Sequence, residues 1–75
     1  MGGPMYWYNP KSRTTEDVPA PLVDAQAIEM LSGHPDSDEF IEEYRLWRKS
    51  CGIIEALQYT GDTFRKIRMI HREEE

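Results

Sequence analysis

The chain has 75 residues, 39% hydrophobic and 31% charged, with a formal net charge of −5. That length allows one small domain, and the composition is globular rather than disordered or collagen-like. A domain this short buries only about 60% of its unfolded surface, which argues against a deep catalytic cleft and for function on the surface.

No apolar run approaches the ~18 residues needed to span a membrane. Met1-Gly2-Gly3-Pro4 lacks the charged and apolar regions of a signal peptide. The single cysteine, Cys51, leaves no internal disulfide and fits a reducing, cytoplasmic setting. Charge is unevenly spread. Residues 1–44 hold nine acids against two bases, a net −7, while residues 45–72 hold seven bases against two acids, a net +5. Glu73, Glu74 and Glu75 then add −3. A surface built mainly for nucleic acid would be basic overall. This pattern suits either a dipolar surface that steers a charged protein partner or acidic and basic helix faces that neutralise one another.

In chain order, residues 1–21 form an extended, aromatic and Pro-rich segment that holds four of the five prolines. Tyr6-Trp7-Tyr8 is high in strand propensity. Asn9-Pro10-Lys11-Ser12 is a good turn, because Asn favours the first turn position and Pro fixes φ at the second. Arg13-Thr14-Thr15 then returns, so residues 6–15 read as a short β-hairpin. The aromatic run, Asn-Pro turn and Arg-Thr-Thr return resemble the second hairpin of WW domains over about ten residues. The rest of a WW domain is absent, so Pro-rich peptide binding does not transfer. An isolated hairpin is marginal in water and must dock on the rest or be ordered by a partner.

Residues 22–75 read as one helical unit, so the fold expected is mainly α: a small bundle of about four short helices behind the extended or hairpin segment. The first helix spans about 24–32, with Asp24 as N-cap, Ala27, Ile28 and Leu31 on its apolar face, and Gly33 as its stop. The second spans about 37–51. Asp36 and Glu39 have capping-box spacing, and Phe40, Tyr44, Trp47 and Cys51 form one apolar stripe. A third helix covers about 53–59 and closes near Thr60-Gly61. A fourth starts at Asp62 as N-cap and runs to about 72.

Two constellations carry candidate function. In a strand Tyr6 and Tyr8 share one face and Trp7 points to the other. Trp, Tyr and Arg are enriched in binding hot spots, and Lys11 and Arg13 lie close by, so Tyr6, Trp7, Tyr8, Lys11 and Arg13 are candidate partner contacts. The plain alternative is that the three rings complete a small core. A strand edge that pairs with a partner's strand would also serve recognition.

The stretch Ile53 to Ile67 resembles a helix-turn-helix unit. That resemblance implies a DNA-binding regulator working through residues 53–72, with Thr63, Arg65, Lys66, Arg68 and Arg72 facing DNA or an acidic partner. It departs from the pattern at Ile54, where Ala is usual, and at Gln58, where the turn Gly belongs. Short motifs of this kind match often by chance, and the plain reading is a helical hairpin with a solvated basic face. A third possibility is a subunit that dimerises through the Phe40, Tyr44 and Trp47 stripe.

No residue pattern points to catalysis, a metal or a cofactor. His34 and His71 read as a loop and a last-turn residue, Cys51 as a small core residue, and the adjacent Glu42 and Glu43 as a solvated face. The short acidic chain with Met5-Tyr6-Trp7-Tyr8-Asn9-Pro10 ahead of a helical core resembles the small phage-encoded transcription regulators that bind host RNA polymerase, of the type carried by Xanthomonas phages. That resemblance implies a non-enzymatic protein, placed in the bacterial host cytoplasm if it is phage-encoded; a monomer is expected. It would contact the polymerase β′ and β subunits, inhibit initiation by displacing σ, and promote antitermination. It transfers no individual residue.

Overall fold

A computed structural model describes residues 5–19 and 22–74, with side chains to Lys66. The order is β1 (Tyr6–Asn9), β2 (Thr14–Asp17), α1 (Asp24–Leu31), α2 (Ser37–Arg48) and α3 (Ile53–Glu74). The mainly helical body and the N-terminal hairpin agree with expectation, but three helices stand where four were expected.

The hairpin forms around Asn9-Pro10, but its turn runs one residue further than expected: Arg13 belongs to the turn, and β2 begins at Thr14 and extends to Asp17. β1 and β2 are antiparallel, with Tyr6 opposite Asp17, Trp7 opposite Glu16, Tyr8 opposite Thr15 and Asn9 opposite Thr14. Asn9 Oδ1 accepts the Lys11 N–H at 3.0 Å, and the Asn9 carbonyl accepts the Arg13 N–H at 2.8 Å. Asn9 is buried, and its amide donates to Glu16 Oε1 at 3.0 Å, so its polar atoms are satisfied. Arg13 closes the turn in the left-handed region, φ 62°.

The N-cap of α1 lies one residue before the expected Asp24. Val23 is the N-cap, and its N–H is accepted by the Gln26 side chain at 3.1 Å. Asp24 lies in the first turn, and its carboxylate is used by α2 instead. Tyr44 Oη donates to Asp24 Oδ1, and Arg48 Nε donates to the same oxygen at 2.9 Å. This ties the start of α1 to the end of α2. α2 is shorter than the expected 37–51. It gives way to a turn after Arg48, where Cys51 N–H bonds the Trp47 carbonyl at 2.8 Å. Asp36 is its N-cap as expected, but its side chain caps nothing, so the expected capping box does not form.

The largest correction is α3. The expected break at Thr60-Gly61 is absent, and a single 22-residue helix runs from Ile53 to Glu74. Gly61 is needed for closeness, not for a turn. A Cβ there would collide with the Tyr8 carbonyl, so this glycine is what lets the β1 backbone lie on the helix. α3 packs on α2, β1 and α1 and is the hub of the fold.

One core serves hairpin and helices alike: Trp7 and Val18 from the N-terminal segment, Ala27 and Leu31 from α1, Phe40 and Tyr44 from α2, Ala56 and Leu57 from α3. Phe64 packs edge-on against Phe40 at 4.5 Å between ring centres. Since Phe40 and Tyr44 fill this core, they cannot form the dimer stripe considered from the sequence. No helix among the described residues is long and apolar enough to cross a membrane.

Candidate functional site

The alternation of β1 decides which aromatics face outward. Trp7 is 2% exposed and lies in the core, whereas Tyr6 is 51% exposed and Tyr8 half-buried. Trp7 is therefore a core residue first: its ring holds the hairpin on the helices, its indole N–H is buried with no hydrogen-bond partner among the described residues, and the residue also lines the groove between β1 and α3. The two tyrosines sit on the opposite face, over α3.

There they meet a polar stripe of that helix. Glu55, Gln58, Tyr59, Asp62 and Arg65 recur at helical spacing and line a groove with Tyr6, Tyr8 and Thr15. Gln58 Nε2 donates to the Tyr6 carbonyl at 2.8 Å, which fixes the strand against the helix. The Arg65 guanidinium lies 5.5 Å from the centre of the Tyr8 ring, within the range of a cation–π contact. Two candidate sites that the sequence kept apart, the N-terminal aromatics and the basic residues of α3, thus share one surface through Tyr8 and Arg65.

Sequence reasoning missed Tyr59 and Trp47 as members of this face. Tyr59 is 42% exposed and stacks on Trp47 at 4.6 Å between ring centres, tilted by 33°. Trp47 Nε1 donates to Glu43 at 2.8 Å, which sets the indole's orientation. A signal was present. Once α3 is continuous, Tyr59 is the single large ring in an otherwise polar row.

The remaining candidates divide. Lys11 is tied up structurally, with its Nζ donating to the Ser32 carbonyl just past the C-terminal end of α1. Arg13 is exposed at the turn. Lys66 is exposed on α3. Thr63 lies on another side of α3, beside Asp38 and Glu42, and its hydroxyl donates to the Tyr59 carbonyl at 2.9 Å. Arg68 and Arg72 lie outside the described side chains. No helix-turn-helix forms, because the segment that should turn is the middle of α3. Burial of Ile54 and Gln58 is partial, as befits positions flanking the α3–β1 contact.

Electrostatically the groove is mixed, with Glu55 and Asp62 against Arg65. The shifted groups lie elsewhere, at the α1–α2 clamp. Hydrogen bonds from Arg48 first, then from Tyr44, hold Asp24 below the usual carboxylate range. Burial first, then Asp24, pushes Tyr44 up to about 12. Among the described residues no three His, Cys, Asp or Glu side chains gather as a metal site. Comparison with known proteins returns no match: no protein-family model, curated sequence or solved structure resembles the chain closely enough to count.

Proposed function

We propose that this chain is a small, non-enzymatic protein-binding regulator whose contact surface is the tyrosine face of Tyr6, Tyr8 and Tyr59, rimmed by Arg65 and Arg13. The supporting observation is the exposure of Tyr6 and Tyr59 on one groove, beside a Trp7 that is 2% exposed. Tyrosine buries a large area on binding with few rotors to freeze, and arginine adds directional contacts. Single exposed rings are ordinary, but rings gathered on one groove are the pattern of an interaction site.

The sequence resemblance to phage-encoded regulators makes bacterial RNA polymerase the partner to test, through β′ and β, with σ displacement or antitermination as the consequence. The test is co-migration with purified polymerase core and holoenzyme in gel filtration. A stable complex with wild type that is lost in Tyr6→Ala/Tyr59→Ala, at unchanged circular dichroism, is the expected result. No complex at micromolar concentrations would reject polymerase as partner. Equal binding by the double variant would reject the tyrosine face.

A further inference from the structure

The hairpin has two outer edges, and they differ. Val18 N–H bonds the Met5 carbonyl at 2.7 Å, so Met5 and Val18 are a hydrogen-bonded pair of the ladder. Such pairs alternate in an antiparallel ladder, so Trp7–Glu16 and Asn9–Thr14 bond each other, while Tyr6, Tyr8, Thr15 and Asp17 direct their backbone groups outward. On β1 that outward edge is closed. The Tyr6 carbonyl takes Gln58, and the Tyr8 carbonyl lies on Gly61. On β2 it is open. Thr15 and Asp17 are exposed, and among the described residues their backbone groups meet no partner.

We infer that β2 is a strand-addition site for an extended, lysine- or arginine-bearing segment of another protein, bonded in register to Thr15 and Asp17. The inference rests on the protein-binding reading above and adds the partner's backbone form and charge. The hairpin is already supported by α3, so an added strand extends the sheet at its one open edge. Charge selects the occupant. Asp17 is exposed and Glu16 half-exposed on this edge, on opposite faces of the hairpin. The Glu16 carboxylate accepts hydrogen bonds from Asn9, Ser12 and Thr14, but those donors are neutral, and neither acid makes an ion pair among the described residues. A second copy is disfavoured by the same acids. The register that uses Thr15 and Asp17 of both copies sets Glu16 directly opposite Glu16, a destabilising like-charge pair. A basic strand meets the opposite situation. When its basic residues lie beside Glu16, its alternate residues fall on the face that carries Tyr6 and Tyr8.

The probe is a synthetic octapeptide of alternating lysine and valine, with a glutamate–valine octapeptide as control, titrated into 15N-labelled full-length protein. With saturating lysine peptide, hydrogen exchange at the Thr15 and Asp17 amides should slow at least about tenfold, while Glu16, already in the ladder, changes little. Thr15→Pro removes an outward N–H without touching the β1 ladder and should weaken the peptide at least about tenfold. Thr15→Val keeps the N–H and should bind like wild type. Tyr6→Ala/Tyr59→Ala should still show protected Thr15 and Asp17, so failure of the tyrosine face and failure of the edge are read separately. Unprotected Thr15 and Asp17 in the saturated complex, equal binding of the glutamate peptide, or wild-type affinity in Thr15→Pro would each overturn the assignment. Dimerisation of the free protein through β2 would overturn it as well.

Discussion

The carbonyl of Tyr8 occupies the space that a side chain at Gly61 would need. In most exposed helix interiors Gly→Ala stabilises by about 0.5–1 kcal/mol, because glycine loses more backbone entropy on folding. Here the obstacle is backbone, which cannot rotate aside as a side-chain tip can. Gly61→Ala must push β1 off α3, and such overpacking costs about 1–3 kcal/mol. Gly61→Ala should therefore lower the urea midpoint while far-ultraviolet dichroism of the helices persists. A raised midpoint would show that β1 does not rest on this helix.

Adjacent residues of β1 should give opposite phenotypes. Trp7 fills the core, and truncating a buried Trp costs about 3–5 kcal/mol, enough to unfold many domains of this size. Tyr6 is half exposed, and Tyr6→Ala should change stability by no more than about 0.5 kcal/mol. On partner binding the order reverses. Tyr6→Ala should cost about 2 kcal/mol of affinity as a hot-spot truncation. Thermal melts and partner titration of the two variants check both halves. A stable, folded Trp7→Ala would remove the core assignment.

The clamp of Asp24, Tyr44 and Arg48 predicts a pH profile. The folded pKa of Asp24 is lower than its unfolded value, so the stabilisation is present above the ordinary carboxylate range and is lost as pH falls through the folded value. Tyr44 is shifted the other way, up to about 12. Its contribution is whole below the ordinary tyrosine value, roughly 10, and is lost as pH rises toward the folded one. Urea midpoints measured from pH 2 to 7 should fall on the acid side, and Asp24→Asn should flatten that fall. An unchanged acid limb in Asp24→Asn would show that the clamp contributes nothing.

Much of this architecture was legible where local chemistry decides. Asn9-Pro10 announced the turn, and the period of two separated Tyr6 and Tyr8 from Trp7. The inward direction of Trp7 was not legible, because alternation defines two faces and only tertiary packing chooses between them. Gly61-Asp62 read as a stop and a new cap, since those residues serve both roles locally. Their actual setting is a strand crossing the helix 53 residues away in sequence from Tyr8 to Gly61. Asp24 failed as an N-cap for a related reason. Arg48 and Tyr44 offer its carboxylate stronger partners than the first-turn amides do. Both errors come from long-range contacts overriding good local signals.

Arg13 offers the sharpest separation of stability from binding. Its φ of 62° places a β-carbon-bearing residue where Gly or Asn is favoured. The left-handed conformation costs an L-residue roughly 1–2 kcal/mol, and part of any gain from glycine is returned through its floppier unfolded chain. Arg13→Gly should therefore raise stability by up to about 1 kcal/mol, whereas Arg13→Val, β-branched at the same φ, should lower it by about as much. If the guanidinium contacts the partner, Arg13→Gly also weakens binding although the protein melts later. Parallel melts and titrations decide: a variant both more stable and equally tight would restrict Arg13 to the turn and leave the tyrosines and Arg65 as the contact surface.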